Sequence, residues 1–278
     1  MVLRSILVAL DATPASSAAQ TLAIDLAKRL ECQITGIAIL DRGYITAPTA
    51  VGIGGMAFKQ HRDQVKLQEA KAFLDRLERG FQDSCEAIGA AWQVIEAEGA
   101  PHRLIEQESG RHDLLVIGKD TDFHFDDDPS IAEMVQRLLH DNARPLIVCP
   151  DTASTQGPVL VAYDGSLRSS RALHMLALLG HVRGRPVHVL SVAPDQIEAA
   201  ERARYASELL TKHELEVTPH GVSSRADPAE IVCAEAEALG ATLIAIGASG
   251  HRPIHDLFLG STTQRLLDLC PCPLFVHH

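Results

Sequence analysis

Two copies of one pattern run through the chain. Ser5-Ile6-Leu7-Val8-Ala9-Leu10-Asp11 returns as Pro158-Val159-Leu160-Val161-Ala162-Tyr163-Asp164, and Leu114-Leu115-Val116-Ile117-Gly118 as Leu243-Ile244-Ala245-Ile246-Gly247. Gln136-Arg137-Leu138-Leu139, with Pro145-Leu146-Ile147-Val148 after it, returns as Gln264-Arg265-Leu266-Leu267, with Pro273-Leu274-Phe275-Val276 after it. A repeat of this length means one folding unit made twice. The boundaries it predicts are 1–150 and 157–278, with the polar stretch Asp151 to Gly157 between them. The landmarks drift by about 25 positions, because copy one is longer. The segment Asp41 to Val65, rich in Gly and Pro, is the expected insertion, and Gly52, Gly54 and Gly55 suit a flap over a copy-one cleft.

Within a copy, short apolar runs alternate with helical periodicity. Ile6 to Leu10 is continuous and apolar, as in a parallel strand buried on both faces. Leu22, Leu26 and Leu30 then recur at helical spacing. Strands are expected at Ile34 to Leu40, Ala91 to Ala97, Leu114 to Gly118 and Leu146 to Cys149, and helices at Gln60 to Gly89, Pro101 to Gly110 and Ser130 to Asp141. The fold class is therefore α/β: two tandem doubly wound domains, each with a five-stranded parallel sheet.

Ligands of such sheets sit at the carboxyl ends of the strands, where the strand order switches. Copy two brings three segments there: Ala162 to Ser166, Ser191 to Pro194, and Gly247-Ala248-Ser249-Gly250, which nine residues separate from Gly260-Ser261-Thr262. Gly260 precedes an amphipathic run, so Ser261 and Thr262 open a helix whose N-terminus favours an anion. The plainer reading is that these glycines only end a strand and start a helix.

The spacing G-x2-G-x9-G-[ST] at Gly247, Gly250, Gly260 and Ser261 resembles the nucleotide motif of ATP-binding universal stress proteins. The resemblance covers both copies and implies a Rossmann-like domain of the adenine nucleotide alpha hydrolase type. It implies ATP, or AMP or ADP, near Asp164, with Val192 meeting the adenine through its backbone. Ala162 is a further candidate, and His251 and His255 lie inside the loop, each either a phosphate contact or an exposed loop residue. It admits magnesium with the nucleotide. It also implies pairing of domains through their last strands, here Pro145 to Cys149 with Pro273 to Val276, which makes a pseudo-dimer within one chain. Association of two chains and an unidentified protein partner stay open. Copy one departs from the motif: Gly118 is followed by Lys119-Asp120-Thr121-Asp122-Phe123-His124-Phe125-Asp126-Asp127-Asp128, whose carboxylates would repel a triphosphate.

The resemblance implies a stress-response regulator. With no Walker lysine and no acidic pair placed for magnesium, efficient ATP turnover is not expected. The resemblance permits slow hydrolysis, or autophosphorylation on Ser261 or Thr262. Two alternatives stand beside it. One is an enzyme of the ATP-pyrophosphatase type, suggested by Asp164-Gly165-Ser166, and the other is a binder of a non-nucleotide metabolite or lipid in copy one. A net charge of −11 argues against nucleic-acid binding, and no apolar run is long enough for a membrane span. The six cysteines lack a framework spacing and read as reduced thiols of a cytoplasmic protein, Cys270-Pro271-Cys272 included. Asp126 to Asp128 read as a solvated loop, and nothing is read into His277 and His278.

Overall fold

The computed structural model describes residues 2–48, 56–123, 131–248 and 260–278. The first half runs β1 (Ser5–Leu10), α1 (Pro14–Leu30), β2 (Gln33–Leu40), α2 (Arg42–Ile45), α3 (Met56–Ile88), β3 (Trp92–Glu98), α4 (Pro101–Ser109), β4 (Leu114–Gly118), α5 (Ile131–Asp141) and β5 (Leu146–Cys149). The second runs β6 (Val159–Ala162), α6 (Leu167–Leu179), β7 (Val187–Ala193), α7 (Gln196–Lys212), β8 (Val217–Ser223), α8 (Pro228–Leu239), β9 (Leu243–Gly247), α9 (Ser261–Leu269) and β10 (Leu274–His277).

All ten strands form one sheet in the order β3-β2-β1-β4-β5-β10-β9-β6-β7-β8. Every pairing is parallel except that of β5 with β10. Each half is a doubly wound five-stranded unit whose order reverses beside its first strand, between β1 and β4 and between β6 and β9. Helices cover both faces. One core layer joins Val8, Leu10, Leu22 and Phe81 with Val161, Leu176 and Leu210, so α1, α3, α6 and α7 share a face. The other joins Leu7, Ile105 and Leu138 with Leu160, Val232 and Leu266, under α4, α5, α8 and α9.

The antiparallel seam carries the expected pseudo-dyad. Ile147 pairs with Phe275, its own counterpart in the repeat, and Leu146 with Val276. The matching glutamines also meet, Gln136 Nε2 donating to Gln264 Oε1 at 3.0 Å. Such self-matched contacts are what an isologous dimer shows; here they lie within one chain.

Two expectations need correction. The extra length of copy one is not a single loop: α2 occupies part of it, and α3 starts at Met56 and runs 33 residues, against 17 in α7. Lys59 Nζ ties α3 back to the Thr46 carbonyl at 3.2 Å. The glycines assigned to a flap, Gly52, Gly54 and Gly55, lie outside the described residues, as do Asp126 to Asp128. The third strand is Trp92–Glu98 rather than Ala91 to Ala97, a shift of one residue toward the carboxyl edge of the sheet.

Candidate functional site

At the carboxyl edge of the second half, a cleft of about 650 Å³, partly open to solvent, lies at the switch between β6 and β9. Its floor is apolar: Leu190 and Val192 from β7, Ile246 from β9, Val232 from α8 and Leu266 from α9. Polar groups rim it. Asp164 follows β6, Ser169 lies in the first turn of α6, and Thr262 and Thr263 open α9.

The rim is built by the turn after β6. Asp164 Oδ1 accepts from the Ser166 backbone N–H at 2.9 Å, and the Ser166 hydroxyl caps α6 by accepting from the Ser169 N–H at 3.1 Å. Gly165 takes φ +79°, a conformation that side chains disfavour. Burial pushes the Asp164 carboxyl up. Hydrogen bonds from Ser169 and Ser166 outweigh it and hold the group below the usual carboxylate range.

Two helices start at the cleft, and they differ. α8 begins at Pro228 with Asp227 as its cap, accepting from the Ala229 N–H at 2.8 Å. α9 begins after Gly260, which offers no capping side chain. Arg265 bridges from α9 to Asp227 at 2.5 Å and Glu230 at 2.7 Å, fixing one helix start against the other. The positive dipole end of α9 thus faces the cleft with no capping side chain from Gly260.

Of the residues singled out in the sequence, Ala162, Asp164, Val192, Gly247 and Thr262 line this cleft together. Gly260 adjoins it as the cap position, at φ −56° and ψ 144°, a conformation open to any residue. Ser261 is exposed and is not among the lining residues. Gly250 and His251, like Ser249 and His255, lie outside the described residues. Sequence reasoning missed Leu190, Val232 and Leu266. The last two were signalled by the apolar stripes of their helices.

Gly247 has a reason other than ligand approach. A Cβ there would stand 2.4 Å from the Ser169 backbone N and 2.6 Å from the Arg168 carbonyl carbon. Gly118 meets Ser16 N at 2.6 Å and Ala15 C at 2.7 Å in the same way. Both glycines let the first helix of their half cross the strand closely, which is why copy one keeps Gly118 while losing the rest of the motif.

The matching position in the first half carries a buried phenylalanine. Ala9 pairs with Ile37 as Ala162 pairs with Leu190. Ile37, Ile39, Ile105, Ile117 and Leu138, the counterparts of the second-half floor, form one buried cluster with Phe123. Phe123 is 1% exposed. Asp11 is buried as well, with Oδ1 accepting from the Thr13 N–H at 2.7 Å. Burial lifts its carboxyl to about 6, against the pull of Thr13. A carboxyl raised in the fold stabilises at low pH, and that stability is lost as pH rises from about 4 through 6. Asp11→Asn should therefore stabilise the protein by about 1–2 kcal/mol at pH 7.5 and by little at pH 4. Urea midpoints at the two pH values check this.

The six cysteines are free. Cys270 Sγ lies 3.0 Å from Cys233 Sγ, and burial first, then Cys233, pushes its thiol up, as in an unreactive buried thiol. Among the described residues no group of three or more His, Cys, Asp or Glu could hold a metal ion, and no helix is long and apolar enough to cross a membrane.

The model of the universal stress protein family matches residues 157–278, the half that carries the cleft. Residues 157–278 are thus a universal stress protein domain. A universal stress protein of Synechocystis is 25% identical over 210 residues, 74% of this chain and 71% of that protein. One from Thermus aquaticus is 28% identical over 134 residues, 42% of this chain and 96% of its own length. The crystal structure of a universal stress protein from Archaeoglobus fulgidus matches with a TM-score of 0.69, over 98% of this chain and 95% of that one. At 22% identity that likeness is one of fold.

Proposed function

We propose that the second half binds one adenine nucleotide per chain and that the protein acts as a stress-response regulator rather than as a catalyst of turnover. The observation that carries this is the start of α9, at Thr262 and Thr263, facing an apolar slot at the strand-order switch. An adenine would lie between Val192 and the side chains of Val232 and Leu266, and its phosphates at the α9 N-terminus, where N–H groups and dipole favour an anion. The match of residues 157–278 to the universal stress protein family model supports the same reading. The first half has no such role in this proposal, because it lacks the second and third glycines of the motif, Asp11 is buried, and Phe123 packs in the same core layer as the counterparts of the cleft floor. The unit boundaries 1–150 and 157–278 are part of the proposal.

Calorimetry with ATP, ADP and AMP on the full chain should give about one site. Two equal sites, or none, would overturn the reading. Gly260→Val should weaken binding about 100-fold, some 2.7 kcal/mol, while leaving the urea midpoint unchanged, because its φ and ψ suit any residue and only the approach to α9 is blocked. Release of pyrophosphate at a steady rate would favour the pyrophosphatase alternative instead.

A further inference from the structure

A second cavity, enclosing about 790 Å³ of space partly open to solvent, lies in the first half between α3 and the edge strands β2 and β3. Alternation along β3 puts Trp92, Val94, Glu96 and Glu98 on one face. Trp92 and Val94 pack into the core beneath α1 and α3, so the two glutamates continue that row toward the carboxyl edge. In register, Glu96 lies beside Ala38 and Glu98 beside Leu40. From above, α3 lowers Lys71, Leu74, Asp75 and Glu78, one stripe at helical spacing. The cavity thus has an apolar floor of Ala38, Leu40 and Leu74 and four carboxyl groups, against Lys71 as the one cation among its described lining residues.

An acidic cluster alone would be a solvated surface. Glu78 makes this one different: it is 9% exposed, lines the cavity, and its Oε1 has no hydrogen-bond partner. A buried acceptor without a donor is costly, and of the described side chains that line the cavity all but Lys71 are further carboxyls or hydrocarbons. What would satisfy it is a positively charged donor carrying an apolar stem. Divalent metal fits less well, since no three of these groups converge as metal ligands among the described residues.

We propose that this cavity binds a small organic cation, a primary amine or diamine with a short hydrocarbon stem, whose ammonium group hydrogen-bonds Glu78 and Glu96 while the stem lies on Leu40 and Leu74. The site is separate from the nucleotide cleft and does not depend on it.

The charged groups facing Glu78 are Asp75 and Lys71 on α3 and Glu96 and Glu98 on β3, with Arg42 of α2 pairing with Glu98 at 3.4 Å; Ala38 to Leu40 of β2 add none. Burial, then Glu96 and Asp75, lift the Glu78 carboxyl to about 7. A bound ammonium group favours the ionised carboxylate, so affinity rises as pH increases through 7 and levels off above it.

The test is calorimetric titration of the full chain with 1,4-diaminobutane at pH 6, 7 and 8, in buffers of differing ionisation heat. The expected result is saturable binding at one site per chain, with proton release at pH 7 and affinity at least fivefold higher at pH 8 than at pH 6. Glu78→Gln should lose tenfold or more in affinity together with the pH dependence. Should that variant fold poorly, Glu96→Gln, at an exposed edge-strand position, should show the same losses. Glu69→Gln, elsewhere on α3, should change neither. Absence of saturation, equal affinity at all three pH values, equal binding by the Glu78 and Glu69 variants, or displacement of the amine by millimolar magnesium would each overturn the proposal.

Discussion

Gly118→Ala and Gly247→Ala should each destabilise the protein by about 3 kcal/mol or more, larger than the usual effect of adding one methyl group. The new carbon would stand 2.6 Å from a backbone nitrogen at Gly118 and 2.4 Å at Gly247. Backbone in the first turn of α1 or α6 cannot rotate aside as a side chain can. Relief requires lifting the helix from the sheet, which opens gaps along its buried face. Gly80, within α3 and with nothing within 4 Å of an added Cβ, is the control: Gly80→Ala should stabilise by about 0.5–1 kcal/mol through helix propensity. Urea denaturation of the three variants decides the matter. A Gly118→Ala protein as stable as the parent would mean that the close crossing of α1 and β4 is not there.

Gly247 also shows how far the sequence could be read. Its place in a glycine motif pointed to ligand approach, and only the clash distances show that helix crossing requires it as well. The strands were legible because parallel strands buried on both faces are continuous apolar runs, and the β5–β10 pairing followed from the resemblance once the repeat was seen. The start of α3 was less so: Met56 to Lys59 follow a glycine-rich stretch with no capping residue to mark a helix. Phe123 lay in a polar stretch that reads as loop, so its burial was not legible. Glu78 sits in a helix of negative mean hydropathy, where a glutamate reads as solvent-facing. Only its position beneath the β3 edge buries it.

Acid should loosen the junction between the halves as pH falls from 7.5 to 5. His181 is 1% exposed, its ring lies 5.1 Å from that of Phe275 in the seam strand, and neither ring nitrogen has a hydrogen-bond partner. Its carbonyl accepts from Arg29 of α1 at 2.8 Å, and the nearby Leu179 carbonyl accepts from the Leu3 N–H, so the residue stands where the two halves touch. Burial first, then Arg185 and Arg29, push its imidazole down to about 3. The fold therefore holds the neutral ring, whereas the unfolded chain protonates near 6.5. Stability from this group is fully present above 6.5 and falls as pH drops toward 3, by about 1.4 kcal/mol per unit once well below 6.5. Between pH 7.5 and 5 the loss should be about 2 kcal/mol. His277, lowered to about 4 by burial, His278 and Arg171, adds in the same direction, while Asp11 opposes both. His181→Leu keeps an apolar side chain against Phe275 and removes the proton site, so its urea midpoint should fall less over that interval, by the share His181 supplies. If parent and variant lose stability in parallel from pH 7.5 to 5, the buried imidazole is not what makes the junction sensitive to acid.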